Sequence, residues 1–185
     1  MSPAVIVVLV VVVVALAALG LVLLQRQRKS GRLKHQFGPE YDRAVSDRGN
    51  RRAAEQDLTH RQEHRQKLQL RSLDAVERQQ YDSSWRQVQA RFVDDPSGAV
   101  GDAYRLVQQV MGARGYPTDD FDRQADVISV DHPQLVADYR AAVRLTKDSD
   151  GDGASTEDLR EAMVHYRALF ARLLDTQGSN EMEES

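Results

Sequence analysis

The chain has 185 residues, with 25 Lys and Arg against 28 Asp and Glu, a net charge of −3, and no cysteine. The missing cysteines exclude disulfides, iron–sulfur clusters and thiol catalysis. The near-balance of charge hides an asymmetry: residues 25–71 carry a net +7 and residues 72–185 a net −10.

Residues 4–24 read AVIVVLVVVVVALAALGLVLL, without one charged side chain. At about 1.5 Å per helical residue this run matches the roughly 30 Å hydrocarbon core of a bilayer. A valine-rich segment is β-branched, but in lipid a single segment satisfies its own backbone only as a helix. Arg26, Arg28, Lys29, Arg32 and Lys34 follow the run, and no Lys or Arg precedes it. The positive-inside rule then predicts a single-pass protein with the N-terminus outside and the soluble part cytoplasmic. The alternative is an export signal that places the domain outside, although the run is longer than a signal h-region and lacks a basic n-region. The five cations form a candidate membrane-surface segment for anionic lipid head groups, with plain topology determination as the simpler role.

Beyond the run the pattern is helical throughout, and the expected fold class is all-α: an N-terminal transmembrane helix (1–24), a basic linker and polar helical stalk (25–71), an acidic helical bundle (72–174) and a disordered acidic tail (175–185). Gly38-Pro39 breaks the membrane-proximal helix, and Pro39 opens a short segment that Gly49-Asn50 ends. Arg51 to Leu70 is helical by propensity. Its apolar face is thin and no heptad is sustained, so a solvated stalk is preferred to a weak coiled-coil arm. Ser72 is the expected N-cap of a helix with Val76, Tyr81, Trp85, Val88 and Phe92 on one stripe. Asp95-Pro96 opens the next, carrying Val100, Tyr104, Val107, Val110 and Met111, and Gly115-Tyr116-Pro117 stops it. Thr118 or Asp119 starts a short helix through Phe121 and Ala125. Asp131-His132-Pro133 repeats the cap-then-proline signal ahead of Leu135, Val136, Tyr139 and Val143. Ser155, with acids in the following turn, caps a last helix bearing Leu159, Met163, Tyr166, Leu169, Phe170, Leu173 and Leu174.

Two patterns bear on metals. His60-Arg61-Gln62-Glu63-His64 matches H-x-x-E-H, which places two imidazoles on one helical face with a carboxylate beside them. Arg51, Arg52, Arg61, Arg65 and Lys67 flank it and disfavour a further cation, so a solvated helix face is the better reading. Asp148-Ser149-Asp150-Gly151-Asp152-Gly153 matches the first half of a calcium-binding EF-hand loop, with Asp158 as a closing ligand if the loop is shortened. Position 12 is Leu159 rather than a bidentate Glu, so an acidic turn capped by Ser155 is preferred to a weak calcium module.

Trp85 and the tyrosines at 81, 104, 139 and 166 fall at core spacing. The acidic domain that bears them argues against nucleic acid as a partner. His132 and His165 have no nucleophile that sequence can place beside them, so no catalytic residue and no cofactor is assigned.

The segments RLKHQFGPEYDRAV, ARFVDDP, ARGYP, VDHPQLVADYR and STEDLREAMVHYRALFARLL together resemble a family of uncharacterised single-pass bacterial membrane-anchored proteins, usually labelled only as membrane or secreted. The resemblance covers most of Arg32 to Leu174 and implies the same helical architecture. It carries no activity, cofactor or catalytic residue, and DSDGDG is not part of its pattern. The expected function is a non-enzymatic, membrane-anchored interaction or scaffold module for an unidentified protein partner. The patch expected to carry it is whichever of Tyr81, Trp85, Tyr139 and Tyr166 is exposed.

Overall fold

A computed structural model describes residues 16, 17, 20, 21, 27–149 and 154–175. The described residues form eight α-helices and no strand. These are α1 (27–37), α2 (Pro39–Arg48), α3 (Arg51–Gln66), α4 (Ala75–Arg91), α5 (Pro96–Arg114), α6 (Phe121–Asp131), α7 (Val136–Ser149) and α8 (Thr156–Asp175). The expected span over residues 4–24 and the expected tail lie outside the described residues, apart from four positions in the run and Asp175. Among the described residues no helix is long and apolar enough to cross a membrane. The chain divides into two compact units, Met1–Leu58 and Thr59–Ser185, with the boundary inside α3.

In the first unit the breaks follow local backbone chemistry. Gly38 at φ 50° and Gly49 at φ 71° take left-handed conformations, one before α2 and one after it, which a side chain at either position would strain. Pro39 sits at the first turn of α2, where its missing N–H costs nothing. Leu33, Phe37, Tyr41, Ala44, Ala54 and Leu58 are buried.

In the second unit α5 packs against α4, α7 and α8, α8 packs also against α7, and α6 packs against α7. Val100, Val107, Val110 and Met111 from α5, Tyr139 from α7 and Tyr166 and Leu169 from α8 are fully buried in one core. Trp85 stacks on Phe170 with centroids 4.7 Å apart. Asp95 caps α5 by accepting from the Gly98 N–H. Gly115 at φ 88° ends α5, and a Cβ there would lie 2.8 Å from the Gln69 carbonyl oxygen.

Several expected boundaries move. The N-cap of α4 is Asp74, not Ser72, because Asp74 and Glu77 form a reciprocal capping box: each side chain accepts from the other's backbone N–H. Val76 is correspondingly 63% exposed and leaves the core stripe. Asp120, one residue beyond the expected caps, accepts from the Arg123 N–H and starts α6. Asp131-His132-Pro133 does not open a helix directly. Asp131 is the last residue of α6, His132 is its C-cap, and a turn through Leu135 precedes α7. The segment read as a solvated stalk is helical, yet it buries Ala54 and Leu58 and puts Arg61 and Arg65 into ion pairs with α6.

Candidate functional site

In the second unit the end of α3 runs beside α6, and matched charges set the register. Arg61 pairs with Asp126 at 3.0 Å and donates to Ser129 Oγ at 3.3 Å. One helical turn later the Arg65 Nε donates to both carboxylate oxygens of Asp131 at 2.7 Å. Tyr116 also donates to Asp131, at 2.9 Å. Burial beside that carboxylate pushes the Tyr116 hydroxyl above its ordinary range. The Asp131 carboxylate therefore accepts from both Arg65 and Tyr116 and ties α3, α6 and the turn after α5 together.

Two clefts of the second unit border α6. A cleft of about 350 Å³ is lined by His60, Arg61, His64, Asp120, Asp122, Arg123, Asp126 and Val127. The H-x-x-E-H histidines thus face acids of α6, while Arg61 is paired with Asp126 and Arg123 with Asp119. Even so, no three His, Asp or Glu side chains among the described residues converge to hold a metal ion. A larger cleft of about 470 Å³ lies between the α6–α7 turn and the end of α8. His132, Gln134, Arg172 and Asp175 line it, with Ala168 and Ala171 leaving the room. His132 is buried, and its Nε2 makes no hydrogen bond. Burial, with Arg172, Arg114 and Arg65 close by, pulls its pKa down to about 4 against the upward influence of Asp131.

A third polar cluster is closed on itself. Tyr139 donates to Gln124 Oε1 at 2.6 Å, and Gln108 and Gln124 exchange amide hydrogen bonds. Gln108 also donates to the Tyr139 hydroxyl at 3.0 Å. These groups satisfy one another and keep α5, α6 and α7 in register. His165 lies between carboxylates, with Nδ1 3.2 Å from Asp138 and Nε2 3.5 Å from Glu161.

Of the expected calcium ligands, Asp158 is engaged elsewhere. It accepts from the Ser155 N–H at 2.8 Å and from Ser155 Oγ at 2.7 Å, closing a capping box on α8. Asp150 and Asp152 lie outside the described residues, as does the side chain of Asp148. The aromatic patch narrows sharply. Trp85, Tyr139 and Tyr166 are buried and Tyr81 is half-buried, so none offers a fully exposed anchor.

The first unit holds a cluster that periodicity did not single out. The Glu55 carboxylate accepts from Ser30 Oγ at 2.5 Å and from the Tyr41 hydroxyl at 2.8 Å. Arg51 Nε donates to the Tyr41 oxygen at 2.8 Å and lies 3.3 Å from Glu55. Burial raises the Glu55 pKa, but the two hydrogen bonds together with Arg51 and Lys29 outweigh it and leave the pKa below the ordinary range. Of the five membrane-surface cations, Arg28, Lys29, Arg32 and Lys34 are exposed on α1, and Arg26 lies outside the described residues. The one sequence signal for the cluster was Tyr41, the single aromatic of a short helix whose other apolar residues are Ala44 and Val45.

Comparison with protein-family models, curated proteins and solved structures finds no match to this chain.

Proposed function

We propose that the protein is a membrane-tethered helical interaction module and not an enzyme. The observation that supports this most is the partition of charge along the chain. The apolar run adjoins residues 25–58, which carry 9 Lys and Arg against 5 Asp and Glu. Residues 59–185 carry 16 against 23. A cationic segment next to the run suits the cytoplasmic leaflet, whose lipids are anionic, and an acidic bundle suits a partner with a basic surface. In this reading residues 4–24 cross the membrane, the N-terminus is outside, and residues 25–185 lie in the cytoplasm. The resemblance to single-pass membrane-anchored proteins supports the tether.

Fractionation and proteolysis test it together. The full chain is expected to stay in the membrane pellet through an alkaline carbonate wash, and deletion of residues 4–24 is expected to release it. The bundle is expected to resist added protease in intact cells and to be cut once the membranes are opened. Release of the full chain by carbonate removes the tether, and cleavage in intact cells places the bundle outside.

A further inference from the structure

The exposed face of α1 is set by its buried one. Ser30, Leu33 and Phe37 are buried at spacings of three and four residues, which is one stripe of a helix. At about 100° per residue, Arg28, Arg32 and His35 fall on the opposite side. All three are exposed. The remaining cations of α1 differ. Lys34 lies at its flank, 3.8 Å from Asp42, and Lys29 lies near enough to Glu55 to help hold that carboxylate charged. The rotation of α1 about its axis is fixed by Ser30, whose hydroxyl reaches Glu55 at 2.5 Å across 25 residues of chain, with Tyr41 and Arg51 closing the cluster. Apolar contacts alone tolerate rotation of a helix by a fraction of a turn; a hydrogen bond to a charged acceptor does not.

We propose that the Ser30–Tyr41–Glu55–Arg51 cluster is a rotational lock that presents Arg28 and Arg32 to the phosphates of anionic phospholipids. This rests on the tether proposed above, and it assigns the membrane contact to one registered face rather than to basic charge in general. The occupant follows from charge and from distance along the chain. Residues 25–39 contain five cations and no acid, and Arg28 comes four residues after the apolar run ends at Leu24. Arginine suits phosphate because its planar guanidinium donates two parallel hydrogen bonds to it. Ser30, Tyr41, Glu55 and Arg51 are positioning residues in this arrangement; Arg28 and Arg32 make the contact.

The experiment uses the full chain in nanodiscs of phosphatidylcholine mixed with phosphatidylglycerol, one copy per disc, with native mass spectrometry of the lipids it retains. The wild type is expected to retain phosphatidylglycerol preferentially. Each arginine near an anionic surface corresponds to about a fivefold change in occupancy at 25 °C. Arg28→Gln with Arg32→Gln is expected to remove most of that preference, while Lys34→Gln changes it little. Glu55→Gln keeps both arginines and the helix but loosens the lock, and is expected to weaken the preference by a smaller factor. Equal loss from Lys34→Gln and from the arginine pair overturns the registered face. An unchanged preference in the arginine variant overturns the contact. No lipid preference in one-copy discs, together with a loss of self-association of the detergent-solubilised chain in the arginine variant, assigns the face to the acidic bundle of a second chain and overturns the lipid assignment. Failure of the wild type to enter discs of either lipid overturns the tether and this proposal with it, whereas entry without lipid preference overturns this proposal alone.

Discussion

The two units are held by different forces. Among its described residues the first buries six apolar side chains and places a hydrogen-bonded carboxylate among its helices. The second closes a continuous apolar core in which Trp85 stacks on Phe170 and fully buried side chains from α5, α6, α7 and α8 meet. Hydrophobic burial is strong but non-directional. A charge-assisted hydrogen bond adds less net stability, but it fixes orientation. The contrast teaches that stability and aim are assigned to separate parts of this chain: the bundle supplies the first, and the Glu55 cluster supplies the second.

The largest expected effect tests the bundle's side of that contrast. Phe170→Ala removes the partner of Trp85 and leaves a cavity against α4, at a cost of about 3–5 kcal/mol. Trp85 is the chain's one tryptophan, so its fluorescence in a urea titration reports on the second unit alone. A shift below 1 kcal/mol would mean that the bundle closes over the gap and that its core is not the rigid part. Next comes acid. His132 is held near pH 4 in the fold and titrates near 6.5 when unfolded. The unfolded chain therefore binds more protons between those values, and stability falls as pH drops through that window, by roughly 2 kcal/mol. Asp131, Arg65, Arg114 and Arg172 are the charged groups that act on it. Wild type and His132→Gln, unfolded in urea at pH 7 and pH 5, are expected to differ in slope, the variant being flatter.

Glu55→Gln is expected to cost roughly 1–2 kcal/mol, confined to the first unit. Hydrogen exchange should quicken over residues 27–48 while the Trp85 midpoint stays where it was; a shift of both would erase the distinction between the units. Because the Glu55 pKa lies below its ordinary value, its contribution is present above about pH 4.5 and lost as pH falls further. Acid should therefore loosen the bundle before it loosens the lock. The smallest effect is a cap. Asp74→Ala removes the acceptor for the Glu77 N–H and is expected to cost about 1 kcal/mol of the second unit's stability, seen as a lower Trp85 midpoint. The Glu77 carboxylate is held at about 2 by Arg71 and by the backbone N–H of residue 74, both of which that variant keeps, so its low value should survive Asp74→Ala and rise toward the ordinary range only in Arg71→Gln when titrated by NMR.

The all-α class was legible in the sequence, as were the helix stops at Gly38-Pro39, Gly49 and Gly115 and the caps at Asp95 and Ser155. Each of these depends on groups within a few residues, so local pattern carries it. The core stripes were legible for the same reason, since Tyr166, Leu169, Phe170 and Leu173 repeat at helical spacing along α8 and all are buried. The misplaced cap at Ser72 shows the limit of that logic. Ser72 and Asp74 are both acceptable caps alone, and the choice was made by Glu77 reaching back to Asp74. The pairings of Arg61 with Asp126 and Arg65 with Asp131 were not legible, because their partners lie 65 and 66 residues apart and charged residues carry no long-range address. Glu55 was hidden for the same reason. In the sequence it is one more charge on a polar helix, and only the arrival of Ser30 and Tyr41 makes it distinct.

Arg114 gives the second unit a schedule as well as a shape. Its guanidinium is buried, donating to the Leu173 carbonyl at 2.8 Å and to the Arg71 carbonyl at 3.3 Å. Arg71 returns a backbone hydrogen bond to the Arg114 carbonyl. Arg71 is synthesised before α5 and Leu173 lies 59 residues after Arg114, so one of these acceptors is waiting when the guanidinium emerges and the other is not. At the roughly 5–20 residues per second of translation, the wait lasts several seconds. Throughout that interval α5 can gather α4 but not α8, and its cation must stay in water. The bundle therefore closes only after the last turn of α8 has been made.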